Sequence, residues 1–238
     1  MSTKKLILLR HGQSIWNLEN KFTGWTDVGL TPKGCQEAKE AGQLISRCGF
    51  NIDIAFVSFL KRAVKTSQIC LQQIINQEID VQQDWRLNER HYGNLQGLNK
   101  TETAMKYGDE QVLKWRRSFD TAPPKINMND SRHPSKDSLY KNVDRNLLPN
   151  SESLKDTLIR VNPFLEDHLF TQIRKGKNCL IIAHGNSLRA IIKVIKKISD
   201  KDIVRLNIPT GAPYVFKLNN ELEVTNDYYL PRQEELGK

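Results

Sequence analysis

The chain has 238 residues, of which 38% are hydrophobic and 26% charged, proportions that exclude a disordered or fibrous chain and call for a packed core. Its 36 Lys and Arg against 27 Asp and Glu give a formal charge of +9, which favours anionic partners without separating phosphorylated metabolites from nucleic acid or lipid. No stretch approaches the ~20 apolar residues of a membrane helix. The run at residues 6–9 is too short for a signal-peptide core, so a cytoplasmic protein with no membrane partner is expected. Cys35, Cys48, Cys70 and Cys179 stand among apolar neighbours without metal-ligand spacing, and are expected to be buried free thiols with no metal site.

The length suits one α/β domain over residues 1–238. Residues 6–9 read as a buried parallel strand that ends abruptly at Arg10-His11-Gly12. Thr31-Pro32 looks like a helix start, a capping hydroxyl followed by proline, and Ala38, Ala41, Leu44, Ile45 and Cys48 continue at helical spacing. Residues 54–57 read as a second strand, 60–75 as a helix, and a short strand is expected near Val81. Helices are expected around 102–107 and 109–119, the second capped by Asp109. Residues 120–150 turn polar and carry Pro123, Pro124, Pro134 and Pro149. A loop of that length is expected to be a cap or insertion over a site. Leu154, Leu158, Val161, Leu165 and Leu169 form a helical stripe that Pro163 should kink or break. Residues 179–183 are a further strand ending at His184-Gly185, and Ser187 opens an amphipathic helix. A hairpin of residues 215–218 and 222–224 is expected to turn at Asn219-Asn220. The alternation predicts an α/β fold, a mostly parallel central sheet flanked by helices on both faces in three layers.

Two strands thus end in His-Gly. In a parallel sheet both histidines emerge at the carboxyl edge, where such sheets bind ligands. Arg10 and Arg62 would reach the same crevice, and two imidazoles with two guanidiniums suit a dianionic phosphoryl group. A lone histidine after a strand is usually structural, and His91, His133 and His168 are first read that way. The joint occurrence of His11, His184, Arg10 and flanking glycines is what singles out the pair. Neutral imidazole can attack phosphorus and leave again, which allows ping-pong transfer. The chain has no GxxxxGK[ST] loop and no evident paired-carboxylate site, so charge neutralisation falls to Arg and His.

Leu9-Arg10-His11-Gly12-Gln13-Ser14 and His184-Gly185-Asn186-Ser187 resemble the two histidine motifs of the histidine phosphatase superfamily. Asn17, Phe22-Thr23-Gly24-Trp25, Leu60-Lys61-Arg62-Ala63, the block from Leu87-Asn88-Glu89-Arg90-His91-Tyr92 to Lys100, Trp115-Arg116-Arg117 and Leu206-Asn207-Ile208-Pro209-Thr210-Gly211 resemble its cofactor-dependent phosphoglycerate mutase branch. The resemblance runs in order from residue 6 to about Tyr229. It implies that 3- and 2-phosphoglycerate are interconverted through a phosphohistidine on His11, primed by 2,3-bisphosphoglycerate and without metal. Glu89 would protonate and deprotonate the substrate hydroxyls, and Arg10, Arg62 and His184 would hold the transferring group. Gly12, Gln13, Ser14, Asn17, Thr23, Gly24, Arg90, His91, Tyr92, Lys100, Arg116, Arg117, Gly185 and Asn186 would complete the substrate pocket. A homo-dimer and a homo-tetramer are both compatible with it.

Gln13 stands where the family usually has Glu, and Gly29 where an acidic residue is common; from Pro231-Arg232 onward the chain is a short polar tail. Rival readings are a phosphatase of the same superfamily, with water as acceptor, and a bisphosphoglycerate synthase, whose branch carries Gly at the position of Ser14. A basic nucleic-acid-binding protein is the reading from a different class. It finds no module, since Trp16, Trp25, Trp85 and Trp115 fall within or beside the enzyme-like motifs.

Overall fold

The three apolar strands are apolar on both faces because each serves two cores. In the computed structural model, which describes residues 4–75 and 78–231, the strands are β1 (Lys4–Arg10), β2 (Ile54–Val57), β3 (Asp80–Gln83), β4 (Cys179–Ala183), β5 (Tyr214–Leu218) and β6 (Val224–Tyr229). They form one six-stranded sheet in the order β3-β2-β4-β1-β5-β6. The first four run parallel to one another, and β5 and β6 join antiparallel at one edge. Among the helices are α1 (Ile15–Leu18), α2 (Pro32–Arg47), α3 (Lys61–Leu71), α4 (Lys100–Tyr107), α5 (Asp109–Arg117), α6 (Leu154–Phe164), α7 (Thr171–Arg174) and α8 (Gly185–Ile195).

Ile7, Leu9, Ala55, Val57, Leu180 and Ile182 pack under α2 and α3 against Ala41, Ile45, Ala63 and Cys70. Their neighbours in sequence, Leu6, Leu8, Ile54, Phe56, Cys179 and Ile181, face the opposite way, onto Val161 and Phe164 of α6 and Leu188 and Ile191 of α8. This period-two division puts helices on both faces, as the alternation of elements predicts. Thr31 caps α2 as expected, its hydroxyl accepting from Gly34 N at 3.0 Å.

Several expected boundaries move, each for a local reason. Gly108, at φ +85°, separates α4 from α5 and is the cap that Asp109 was expected to be, because only glycine takes that backbone freely. Pro163 does not break its helix; α6 passes into a π-helical turn over Leu165–Phe170 and on into α7. The missing N–H and the ring act on the turn before Pro163, at the carbonyl of the exposed Ile159, and the chain continues helically beyond it. Helix α8 starts at Gly185 rather than Ser187, with His184 as its cap. Leu222 lies in the hairpin turn at φ +63°, so β6 begins only at Val224. Cys70 and Cys179 are buried, but Cys48 is exposed at the end of α2 and Cys35 is half-buried, so the expectation of buried thiols fails for these two. The polar tail beyond Pro231 lies outside the described residues.

Candidate active site

Strand order decides which histidines meet. β1 and β4 are direct neighbours with Arg10 opposite Ala183, and the ladder extends one residue further through His11 N, which donates to the Ala183 carbonyl at 3.0 Å. The next residues in register are the two histidines, whose ring centroids stand 4.9 Å apart. The His11 Nδ1 lies 2.7 Å from the Gly12 carbonyl oxygen. A carbonyl can only accept, so Nδ1 carries the hydrogen and Nε2 keeps its lone pair. His184 Nε2 lies 2.6 Å from the Ser58 hydroxyl. Gly12 owes its identity to packing: a Cβ there would stand 2.0 Å from the Gly34 carbonyl oxygen of α2.

The guanidinium of Arg62, at the first turn of α3, is buried and donates to the carbonyls of Gly24 at 2.7 Å and Thr26 at 3.1 Å. Gly24 takes φ +56°, and a Cβ on it would strike the Gln96 side chain, so this turn needs glycine. Arg10 Nη1 donates to the Ile208 carbonyl at 2.8 Å. Glu89 is 8% exposed. Its Oε1 accepts from the backbone N–H groups of Arg90 at 2.7 Å and of Asn186, at the start of α8, at 3.1 Å.

Arg10, Asn17, Thr23, Gly24, Glu89, Tyr92, Lys100, Arg116, Arg117, Gly185 and Asn186, all expected from the sequence, line one pocket at this edge. His11, Arg62 and His184 are buried beside it, within 2% exposure or less. Four expected residues are turned to other work. The Ser14 hydroxyl caps α1 by accepting from Asn17 N. The Gln13 side chain accepts from the Thr31 hydroxyl at 3.0 Å. Arg90 is wholly buried and donates to the Tyr92 hydroxyl and the Arg116 carbonyl. His91 is turned toward Trp25, and its Nδ1 accepts from Gly93 N. No residue between 120 and 150 lines this pocket; Tyr140 and Leu148 of that segment pack on Trp25 behind the Glu89 loop. Lys21, Arg189, Asn207 and Ile208 also line the pocket, and Ser58 stands against His184. Asn207 and Ile208 belong to the Leu206–Gly211 motif but were given no site role, and Lys21, Ser58 and Arg189 were not singled out, because each touches the site through a fold-dependent neighbour rather than a motif.

The lining is cationic: Arg10, Lys21, Lys100, Arg116, Arg117 and Arg189 face one another with Glu89 as the carboxylate among the lining residues. Arg10 Nε, Arg90 Nε and Nη1, His184 Nδ1 and Arg189 Nε are buried nitrogens with no hydrogen-bond partner among the described residues. Buried donors without acceptors are costly, and those of the pocket-lining Arg10 and Arg189 are ones that a polyanionic ligand would satisfy. Burial and the charges of Arg62 and Arg10 hold the His11 pKa well below its ordinary 6.5. His184 is lowered in the same way by burial, Arg62, His11 and Arg10. Burial brings Arg62 down to about 10, which leaves it charged at neutral pH. Burial also lowers Lys100.

These shifts make a stability prediction. His11, His184 and His91, the last pushed down to about 3 by burial, stay neutral in the folded state while the unfolded chain takes up protons near pH 6.5. The unfolded state therefore binds more protons, and stability must fall as pH drops through 6.5. Three such groups amount to about 4 kcal/mol between pH 7.5 and 5.5. Urea unfolding at the two pH values checks this; equal free energies would show that the rings titrate normally.

The sequence profile described as the histidine phosphatase superfamily (branch 1) matches residues 6–228. The chain is 54% identical over 235 residues to the 2,3-bisphosphoglycerate-dependent phosphoglycerate mutase 2 of Bacteroides thetaiotaomicron, covering 99% of this chain and 95% of that one. A 2,3-bisphosphoglycerate-dependent phosphoglycerate mutase of Elusimicrobium minutum is similar to the same degree, 54% with the same coverage. Among solved structures, mycobacterial hydrolase 1 superposes with a TM-score of 0.73 at 19% identity over 97% of this chain and 99% of its own. The alpha-ribazole phosphatase from Shigella flexneri does so at 0.69 and 20% identity, over 96% of each chain. At such identities the structural likeness carries the fold and not the activity.

Proposed function

The chain belongs to branch 1 of the histidine phosphatase superfamily, and we propose that it interconverts 3-phosphoglycerate and 2-phosphoglycerate through a phosphohistidine on His11. The full-length likeness to two mutases at 54% identity supports the substrate. The observation that carries the chemistry is the buried His11 ring, kept neutral, with Nδ1 tied to the Gly12 carbonyl and Nε2 free.

In this reading a substrate hydroxyl attacks the phosphorus held on His11 Nε2, the P–N bond breaks, and Glu89 takes the hydroxyl proton. When the phosphoryl group on the other carbon returns to Nε2, Glu89 gives that proton to the oxygen left behind. Arg10, Arg62 and His184 hold charge on the transferring group, and the N-terminus of α8 adds its dipole. The Ser58 hydroxyl gives its hydrogen to His184 Nε2, which leaves the unpartnered Nδ1–H as a donor to phosphoryl oxygen. Lys100, Arg116 and Arg117 take the remaining phosphate and carboxylate. Tyr92 and Asn186 shape the same wall.

2,3-Bisphosphoglycerate supplies the phosphoryl group that loads His11, and the unpartnered nitrogens of Arg10, His184 and Arg189 fit a ligand with several anionic groups. Conversion of 3- to 2-phosphoglycerate is expected to proceed in EDTA and to stop once the bisphosphate is stripped away. Loss of activity in EDTA would sink the metal-free reading, and full activity after exhaustive stripping would sink the primer. Arg62→Ala should lower kcat by about 10²–10³, the usual loss for one preorganised donor to developing charge. Near-normal turnover would show that Arg62 only braces the Gly24 turn.

A further inference from the structure

Arg160 lies on α6 and does not line the pocket, yet its guanidinium is committed to the stretch of chain that carries Glu89. Nη1 donates to the carbonyl of Arg86 at 2.6 Å and reaches that of Trp85 at 3.5 Å. Nη2 donates to the carbonyls of Asn88 at 3.2 Å and Glu89 at 3.3 Å. The other edge of the fork forms a two-point ion pair with Glu152, Nε to Oε1 at 2.7 Å and Nη2 to Oε2 at 2.9 Å. Glu152 holds the far side of the same stretch: its Oε2 accepts from His91 N at 2.8 Å, and its own N–H donates to the His91 carbonyl at 2.8 Å. Both side chains are buried. The Trp25 ring lies 5.4 Å from the guanidinium, and its Nε1 donates to the Glu89 carbonyl.

The stretch from Arg86 to His91 belongs to no strand, and only a single 3₁₀ turn precedes Asn88. Its buried carbonyls therefore depend on side chains for hydrogen bonds. A planar fork with five donors can serve several carbonyls and a carboxylate at once, which no other side chain does.

We propose that Arg160, oriented by Glu152, is the positioning residue for Glu89: it fixes the main chain at Arg86, Asn88 and Glu89 so that the carboxyl stays at the start of α8. The inference rests on Glu89 being the proton-transfer group. Displacing a reacting group by ~1 Å can cost about 10² in rate, whereas Lys100, Arg116 and Arg117 bind substrate from other elements. The signature is therefore in turnover and not in binding.

The test is a double-mutant cycle of Arg160→Met and Glu89→Gln, read as steady-state kinetics, with orthovanadate inhibition as a measure of the phosphoryl subsite. Arg160→Met is expected to lower kcat about 10²-fold while KM for 3-phosphoglycerate and the vanadate affinity hold. The double variant should be no slower than Glu89→Gln alone, because a residue that acts through Glu89 has nothing further to lose. If Arg160→Met does not fold, Arg160→Lys keeps the charge beside Glu152 without the fork, and must show a smaller kcat loss with the same non-additivity. Losses that multiply, a loss confined to KM, or unchanged kcat would overturn the positioning role. A wild-type chain without mutase activity, or a fully active Glu89→Gln, would overturn the functional reading itself, and the positioning role with it.

Discussion

Glu89→Gln is expected to lower turnover by about 10²–10⁴ and to leave the fold in place. The competing explanation for Glu89 in a Leu-Asn-Glu-Arg stretch is a surface ion pair with Arg86 or Arg90, of the kind worth only ~0–1 kcal/mol. The structure gives both arginines other partners: Arg86 pairs with Asp84 at 2.6 Å, and Arg90 donates to Tyr92 and the Arg116 carbonyl. Glu89 is instead held by two backbone N–H groups, that of Arg90 in its own loop and that of Asn186 in α8, and its other oxygen lies 3.7 Å from where a Cβ on Gly185 would stand. A glutamine carbonyl oxygen can accept the same two bonds, so the substitution removes the titrating proton and little else. In the proposed mechanism His11 is the nucleophile and His184 holds phosphoryl oxygens, which leaves Glu89 as the carboxylate among the lining residues to move a proton. A Glu89→Gln variant with most of the wild-type kcat and an unchanged melting temperature would transfer the role elsewhere.

The parts of this site that were legible in the sequence are those written in short contiguous segments. A strand buried on both faces must be a continuous apolar run, so residues 6–9 and 179–183 stand out, and the His-Gly that ends each of them marks the sheet edge. The adjacency of β1 and β4 was not legible, because nothing local specifies which strands pair; it is set by the crossovers and by the packing of α6 and α8 against one face.

The supporting partners were hidden for the same reason. Ser58 is 126 residues from the His184 ring it meets, and Arg160 is 71 residues from the Glu89 carbonyl it holds. Arg160 was masked further by its place in a helical stripe, where a basic residue between Ile159 and Val161 reads as a solvated face; it is buried because it turns inward to Glu152. Local backbone departures were hidden too. Leu222 is an apolar residue that the hairpin pattern places in the strand, and only the turn geometry forces its positive φ. The π-helical turn after Pro163 has no local signature either: its Leu165, Leu169 and Phe170 are buried in the core that Phe56 and Phe164 share.

His11→Ala is expected to abolish phosphoryl transfer, with turnover down by about 10⁶, the scale of losing a covalent nucleophile. Two histidines stand 4.9 Å apart in the same electropositive surroundings, so composition and charge alone do not choose between them. Hydrogen bonding does. His11 spends its Nδ1 hydrogen on the Gly12 carbonyl and presents Nε2 with a free lone pair, whereas the Nε2 of His184 is occupied by the Ser58 hydroxyl, and where Ser58 donates, as in the proposed mechanism, the ring hydrogen sits on Nδ1. A protonated ring nitrogen has no lone pair with which to attack phosphorus. The lowered pKa of His11 ensures that the nucleophilic form is populated at neutral pH rather than awaiting deprotonation. Intact mass measured after incubation with 2,3-bisphosphoglycerate should show one added phosphoryl group on the wild-type chain and none on His11→Ala. His184→Ala should still acquire the group on His11, more slowly, because it loses a donor and keeps the nucleophile. A phosphoryl group mapped to His184, or retained by His11→Ala, would reverse the assignment of the two rings.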